Sequence, residues 1–226
     1  MNIIAIETAT TACAIGIRTS QGHEVLRVID EDRQHTEALT EGMAALLAEV
    51  ALRPRDIERV VVDHGPGLFT GLRVGIATAI AFAQGVGAEL VGVSSLELLA
   101  HGAFDAGVRG KLVSAVDGRR GEVFVQTFDL DNEVVALSEP KVSVARTEVI
   151  TWATNGIAVT FTGDGVERYV NDFAAVPNGT VFHQSVPSLH AALALAQHRS
   201  SVATITPLYL READAVANFT TRERPT

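Results

Sequence analysis

The chain has 226 residues, 47% of them hydrophobic, with 18 Lys and Arg against 27 Asp and Glu for a formal net charge of −9. That length and apolar share suit one large or two modest packed domains and exclude disorder as the default, while the acidic balance excludes an unaided grip on RNA, which needs clustered Lys and Arg. The single cysteine, Cys13, excludes an internal disulfide framework and a cysteine-based zinc site, and its apolar setting reads as core.

The first residues carry no basic region and reach Glu7 before an apolar segment attains leader length, and no apolar run approaches about 20 residues. The reading is therefore cytoplasmic, with no membrane association. Residues 2–8, 12–18 and 24–29 have strand composition, with Ser20-Gln21-Gly22-His23 as turn chemistry, and predict an antiparallel meander. Residues 33–51 predict a helix whose Leu39, Met43, Leu46, Leu47 and Val50 make one core stripe. Beside it runs a strip of small residues, Ala38, Gly42 and Ala45, which fits either close approach of a second helix or ordinary contact within the chain.

An Ile/Val-rich strand at 57–62 leads into Asp63-His64-Gly65-Pro66-Gly67-Leu68-Phe69-Thr70-Gly71-Leu72-Arg73-Val74-Gly75, which reads as strand, tight turn, helix. Thr70 is the candidate N-cap of a helix beginning near Gly71. A glycine turn at a helix N-terminus can receive an anion, so Gly65, Gly67, Thr70 and Gly71 form a candidate anion-binding turn; the alternative is that the glycines serve the turn and close helix packing only. The spacing is one residue too long for a dinucleotide fingerprint, and no Gly-Lys-Ser/Thr exists for a P-loop. The helix at 71–84 is apolar nearly all round, with Arg73, Thr78 and Gln84 its polar residues, and so needs cover on two sides. With the helix at 33–51 it predicts a partner surface that includes Ala38, Gly42, Ala45, Gly71, Gly75 and Ala79.

A strand at 89–93 and a helix from Ser94 or Ser95 to 103 complete an α/β unit. The glycine-containing stretch 102–110 is the predicted boundary, giving lobes at 1–103 and 104–210 and a loose tail at 211–226. The second lobe opens with strands at 111–116 and 122–128 around Asp117-Gly118-Arg119-Arg120-Gly121. A helix at 146–153, a strand at 157–161, and helices at 165–173 and 188–198 follow, with Thr162-Gly163-Asp164-Gly165 as a second glycine turn.

Tests for chemistry come back empty. No two of the seven histidines stand at i and i+4 on one helix, there is no Gly-x-Ser-x-Gly elbow, and the close carboxylates Glu31-Asp32 and Asp129 with Asp131 read as solvated turns.

The run from Gly65 to Gly75 resembles the hallmark of the bacterial TsaB (YeaZ) family, as do Ile6-Glu7-Thr8-Ala9, Arg33-Gln34-His35-Thr36-Glu37, Val93-Ser94-Ser95-Leu96-Glu97, Asp117-Gly118-Arg119-Arg120-Gly121-Glu122-Val123-Phe124 and Pro207-Leu208-Tyr209-Leu210-Arg211. These segments come in the family's order and cover nearly the whole chain. The resemblance implies an α/β actin-like ATPase (ribonuclease H-like, ASKHA) fold of two lobes. It also implies a non-catalytic subunit that binds and activates the TsaD paralog in making threonylcarbamoyladenosine beside the tRNA anticodon. The TsaE ATPase is a further implied partner, the predicted helix faces allow a homodimer when the chain is alone, and no cofactor or direct tRNA grip is expected.

The catalytic relative carries acidic residues in the first turn, where this chain has Thr10, Thr11 and Ala12, and a His-x-x-x-His pair where it has Ser95 and Leu99. Thr8, Thr10, Thr11, Gly163 and Gly165 are then candidate vestigial nucleotide turns, with no catalytic or metal residue. The competing reading is an actin-like small-molecule kinase or ATPase, which magnesium-dependent nucleotide hydrolysis by the isolated chain would favour.

Overall fold

The computed structural model describes residues 1–29 and 35–211, with the side chains of the first helix from residue 39 onward. Expectations for Arg33, Gln34, the Ala38 side chain, the Glu31-Asp32 pair and residues 212–226 lie outside the described residues.

Three strands, β1 (Ile3–Glu7), β2 (Cys13–Arg18) and β3 (Glu24–Ile29), form the meander. Helix α1 (His35–Glu49) crosses to β4 (Arg59–Asp63), and α2 (Phe69–Val86) crosses to β5 (Glu89–Val93). The sheet order is β3-β2-β1-β4-β5, with β1, β4 and β5 parallel. Strand alternation splits its side chains between two cores. Ile4, Ile6, Ile15, Ile17, Val60 and Val62 face α1 and α2, whereas Ile3, Ala5, Ala14, Val61, Val91 and Val93 face the other way. Helix α2 stops at Gly87, whose positive φ of 77° lets its N–H close back on Ala83.

Helix α3 (Ser95–Asp105) starts at Ser94, whose hydroxyl accepts from Leu96 N at 3.2 Å. It lies between the lobes. Leu98 packs on the first sheet, while Leu96, Leu99, Ala100 and Ala103 meet Leu112, Val116, Phe124 and Phe128 of the second.

The second sheet is built from β6 (Lys111–Arg119), β7 (Glu122–Asp129), β8 (Val135–Ala136), β9 (Lys141–Val144), β10 (Val159–Thr162) and β11 (Gly179–Val181). Its order, β11-β10-β6-β7-β8 with β9 also on β7, repeats the plan of the first: an antiparallel pair, then parallel strands on the other side. Helices α4 (Ala145–Asn155), α5 (Asp164–Arg168) and α6 (Val170–Ala174) accompany its core around Phe161 and Phe173. This doubled α/β topology is the actin-like fold in two lobes.

Four features differ from the sequence reading. The helix expected at 165–173 is two short helices broken at Tyr169, which leaves helical geometry (φ −117°, ψ 33°) and packs against the Phe161–Phe173 core. Strands β8, β9 and β11 escape a pattern search because two to four residues, several of them exposed, carry no period. Helix α7 (Leu189–Leu195) packs on the first sheet, with Leu189, Ala192 and Leu193 against Ile3, Ala5 and Ala14, so the chain returns to the first lobe before residue 210. Helix α2, finally, has the length and hydropathy of a membrane span by composition alone, yet it sets Gly71, Leu72, Gly75, Ile76, Ala79 and Ala83 into the interior as a core helix does.

Candidate functional site

Glu7 closes β1 and Asp63 closes β4. Because Ile6 pairs with Val62 in parallel register, the two carboxyls sit next to each other at the strand ends, each only 1% exposed. Glu7 Oε1 accepts from Ala9 N (2.9 Å), Thr10 N (3.1 Å) and Thr10 Oγ1 (3.3 Å). Asp63 Oδ1 accepts from Gly65 N and from Ser95 Oγ, both at 2.8 Å. The remaining oxygens, Glu7 Oε2 and Asp63 Oδ2, are buried acceptors with no donor while both groups are ionised. Burial side by side favours the protonated form of the pair. Burial first, and the Asp63 charge second, push Glu7 well above the usual carboxylate range, and burial also raises Asp63.

Above this pair the first turn and the glycine turn are bonded to each other. Leu68 N donates to Ala9 O at 2.7 Å, and Thr8 Oγ1 donates to Gly71 O at 2.8 Å. A Cβ at Gly67 would overlap the Ala9 carbonyl, one at Gly71 the Thr8 carbonyl, and one at Gly75 the Thr8 hydroxyl. The glycines therefore let α2 press on the end of β1, which is the packing alternative of the sequence reading. Of the candidate anion-binding turn, the Gly65 N–H is taken by Asp63, and the neighbouring Leu68 N–H by Ala9 O, beside the buried acid pair. The Thr70 cap is corrected. The helix begins earlier, at Phe69, with extended Leu68 as its N-cap and no side-chain cap, and Thr70 stands exposed in the first turn.

The candidate nucleotide turns are similarly occupied by the chain itself. Thr8 and Thr10 are buried with their hydroxyls on Gly71 O and Glu7, and only Thr11 of the three is exposed. At the second turn a Cβ on Gly163 would overlap the Ala115 carbonyl, and one on Gly165 would stand 3.0 Å from the same oxygen. Asp164 between them accepts from Asp117 N at 3.0 Å, and burial lifts its carboxyl to about 6. Of the two positions that match the relative's histidines, Ser95 is bonded to Asp63 and Leu99 is fully buried between the lobes. Three histidines, His101, His190 and His198, do meet in a cleft of about 470 Å³ between α3 and α7, but His190 is bonded to Glu24 and burial holds His101 below its usual range. Among the described residues no group of His, Cys, Asp and Glu has a metal-holding arrangement.

The predicted partner residues divide. Gly71, Gly75 and Ala79 turn inward, and a Cβ at Gly42 would stand 2.8 Å from both Ile15 and Ile29, so its smallness serves contact with the chain's own sheet. Ala45 is exposed. The outward ridge of α2 is Phe69, Arg73, Ala77, Ala81 and Gly85, each four residues after the last, and α1 exposes Ala44, Ala45 and Ala48. Of the α2 residues named from sequence for the partner surface, all three face the interior instead. At the N-terminal end of the ridge the Arg73 guanidinium lies 3.7 Å over the Phe69 ring, and Tyr209 stacks on that ring with centroids 5.2 Å apart. This cluster was missed because its members are 136 residues apart; the nearest signal was the Pro207-Leu208-Tyr209-Leu210-Arg211 motif.

Residues 29–220 match a protein-family model described as TsaD, tRNA N6-adenosine threonylcarbamoyltransferase. An uncharacterized protein of Mycobacterium tuberculosis is 33% identical over 215 residues, covering 94% of this chain and 93% of its own. The tRNA threonylcarbamoyladenosine biosynthesis protein TsaB of Escherichia coli is 31% identical over 66% of this chain and 64% of its own, and that of Bacillus subtilis is 26% identical over 97% and 98%. Among solved structures, a Pseudomonas aeruginosa protein described as similar to peptidase YeaZ superposes with a TM-score of 0.80 at 23% identity, covering 93% of this chain and 99% of that one. YeaZ from the same organism gives 0.72 at 23% identity over 87% and 90%.

Proposed function

The chain belongs to the TsaB (YeaZ) family, and from that premise we propose that it is the non-catalytic subunit of tRNA threonylcarbamoyladenosine synthesis, binding and activating a TsaD-type paralog. The observation that carries the proposal is the pair of outward helix faces. Ala44, Ala45 and Ala48 on α1, and Ala77, Ala81 and Gly85 on α2, leave a surface with little side-chain bulk on which two helices of a related chain can approach closely. The same faces can pair with a second copy when the paralog is absent, and TsaE is the further partner of the assembled complex.

Support for a non-catalytic role comes from the polar groups at the strand ends. Glu7, Thr8, Thr10, Asp63 and Ser95 direct hydrogen bonds to one another and to the backbone, which supports a structural use of these groups. No observation favours the kinase reading over this one. What remains is binding energy, which activates a partner by favouring its competent state. Reconstitution with and without the chain tests the proposal: modified adenosine should form only when both it and the paralog are present. Modification by the chain alone, or undiminished modification by the remaining components without it, would overturn the proposal.

A further inference from the structure

Residues 202–211 run along both lobes and are held at successive points. Val202 N donates to Leu90 O at 2.8 Å on the edge of β5, and Ile205, 8% exposed, enters the first core. Leu208 N donates to His64 O at 2.8 Å, beside the glycine turn. Tyr209 stacks on Phe69 and accepts from Arg73 Nε at 3.0 Å. Leu210 joins the apolar layer between the lobes, and Arg211 reaches the β6–β7 hairpin of the second lobe. There its guanidinium donates to Glu122 at 2.8 Å and to Gly118 O at 3.2 Å.

We propose that this segment is an interlobe strap: it fastens the β6–β7 hairpin to the start of α2 and so fixes the angle between the lobes. The α3 layer opposes separation, but apolar contact is non-directional and leaves the lobes able to slide. The bonds of Tyr209 and Arg211 are directional and supply the register. Since Phe69 and Arg73 open the outward ridge of α2, the strap also joins the orientation of the second lobe to the helix face that meets the paralog, a consequence that rests on the function proposed above.

Spin labels on Ser20→Cys and Thr147→Cys, exposed positions in different lobes, report the interlobe distance in the full chain. The native Cys13 is 3% exposed, with its thiol pushed up to about 11, and stays unlabelled. Arg211→Ala should broaden the distance distribution and speed amide exchange at 118–122 about fivefold, the scale of a part-exposed ion pair. Glu122→Ala should act in the same direction to a smaller degree, since Arg211 keeps its bond to Gly118 O, and the two together should add little beyond Arg211→Ala. An unchanged distribution with unchanged exchange in both variants overturns the strap. For the coupling, Arg211→Ala should weaken paralog binding severalfold; wild-type affinity in a variant whose distances have broadened overturns that part. Failure of the wild-type chain to bind the paralog counts against the proposed function instead, and the strap is then judged on distances and exchange.

Discussion

Glu7 and Asp63 stand side by side at the ends of neighbouring parallel strands, buried together, and burial raises both carboxyls above their ordinary range. Two carboxylates cannot both stay ionised there without a large desolvation and repulsion cost, so folding takes up a proton that the unfolded chain gives away.

That linkage has a sign. With the folded value of Glu7 above its ordinary 4.5, the native state holds more protons than the unfolded state from about that pH upward, and stability falls as pH rises through the window to the folded value. Glu7→Gln keeps the acceptor for Ala9 and Thr10 and offers Asp63 an amide donor. It should match the wild type near pH 4 and exceed it at neutral pH, by about 1.4 kcal/mol for each unit of the upward shift. Urea midpoints from pH 4 to 8 measure this, and a gap that does not change with pH would refute it.

Two glycines of α2 should respond oppositely to the same substitution. Gly71→Ala drives a methyl into the Thr8 carbonyl and should cost about 3 kcal/mol or more, whereas Gly85→Ala meets nothing and should gain about 0.5–1 kcal/mol in helix propensity. Equal effects in thermal unfolding would mean that the close approach at Gly71 is not tight.

The partner face can be separated from the core by two neighbouring alanines. Ala81→Arg places a charge on the outward ridge and should leave the melting temperature within a few degrees while weakening the paralog at least a hundredfold. Ala79→Arg buries its charge against the sheet and should prevent folding. Pull-down together with circular dichroism distinguishes the cases, and undiminished capture by Ala81→Arg would remove α2 from the interface.

Cys13 should be inert in the native state. Burial raises its thiol to about 11 and leaves it 3% exposed, so an aromatic disulfide reagent at pH 8 should react only at the rate of global opening. Adding urea should accelerate the reaction steeply; fast labelling without urea would show a breach between β2 and its covering helices.

Much of the fold was legible because its elements are periodic or punctuated. Val60 to Val62 and the glycines after them declared strand and turn, and Leu39, Met43 and Leu46 declared the inner face of α1. The side of α2 that faces outward was not legible. Leu72, Ile76 and Ala83 point in, but so do Gly71 and Gly75, and only the proximity of Thr8 reveals that these small residues sit under the end of β1. Likewise Glu7 and Asp63 are 56 positions apart, and nothing local announces that parallel pairing makes them one ionising unit. Tyr209 and Arg211 read as a motif, but their targets Phe69, Arg73 and Glu122 required the fold.

The return of α7 to the first sheet has a consequence for synthesis on the ribosome. Ile3, Ala5 and Ala14 are among the first residues made, but Leu189, Ala192 and Leu193, which cover them, emerge only after the whole second lobe. Until then one side of the nascent first sheet has Leu98 of α3 against it but still awaits α7, a late and distant part of the chain, to close it. A ribosome stalled before residue 189 should therefore display a first lobe that binds trigger-type chaperones and is cut readily by protease, and release of about ten more residues beyond the exit tunnel should end both.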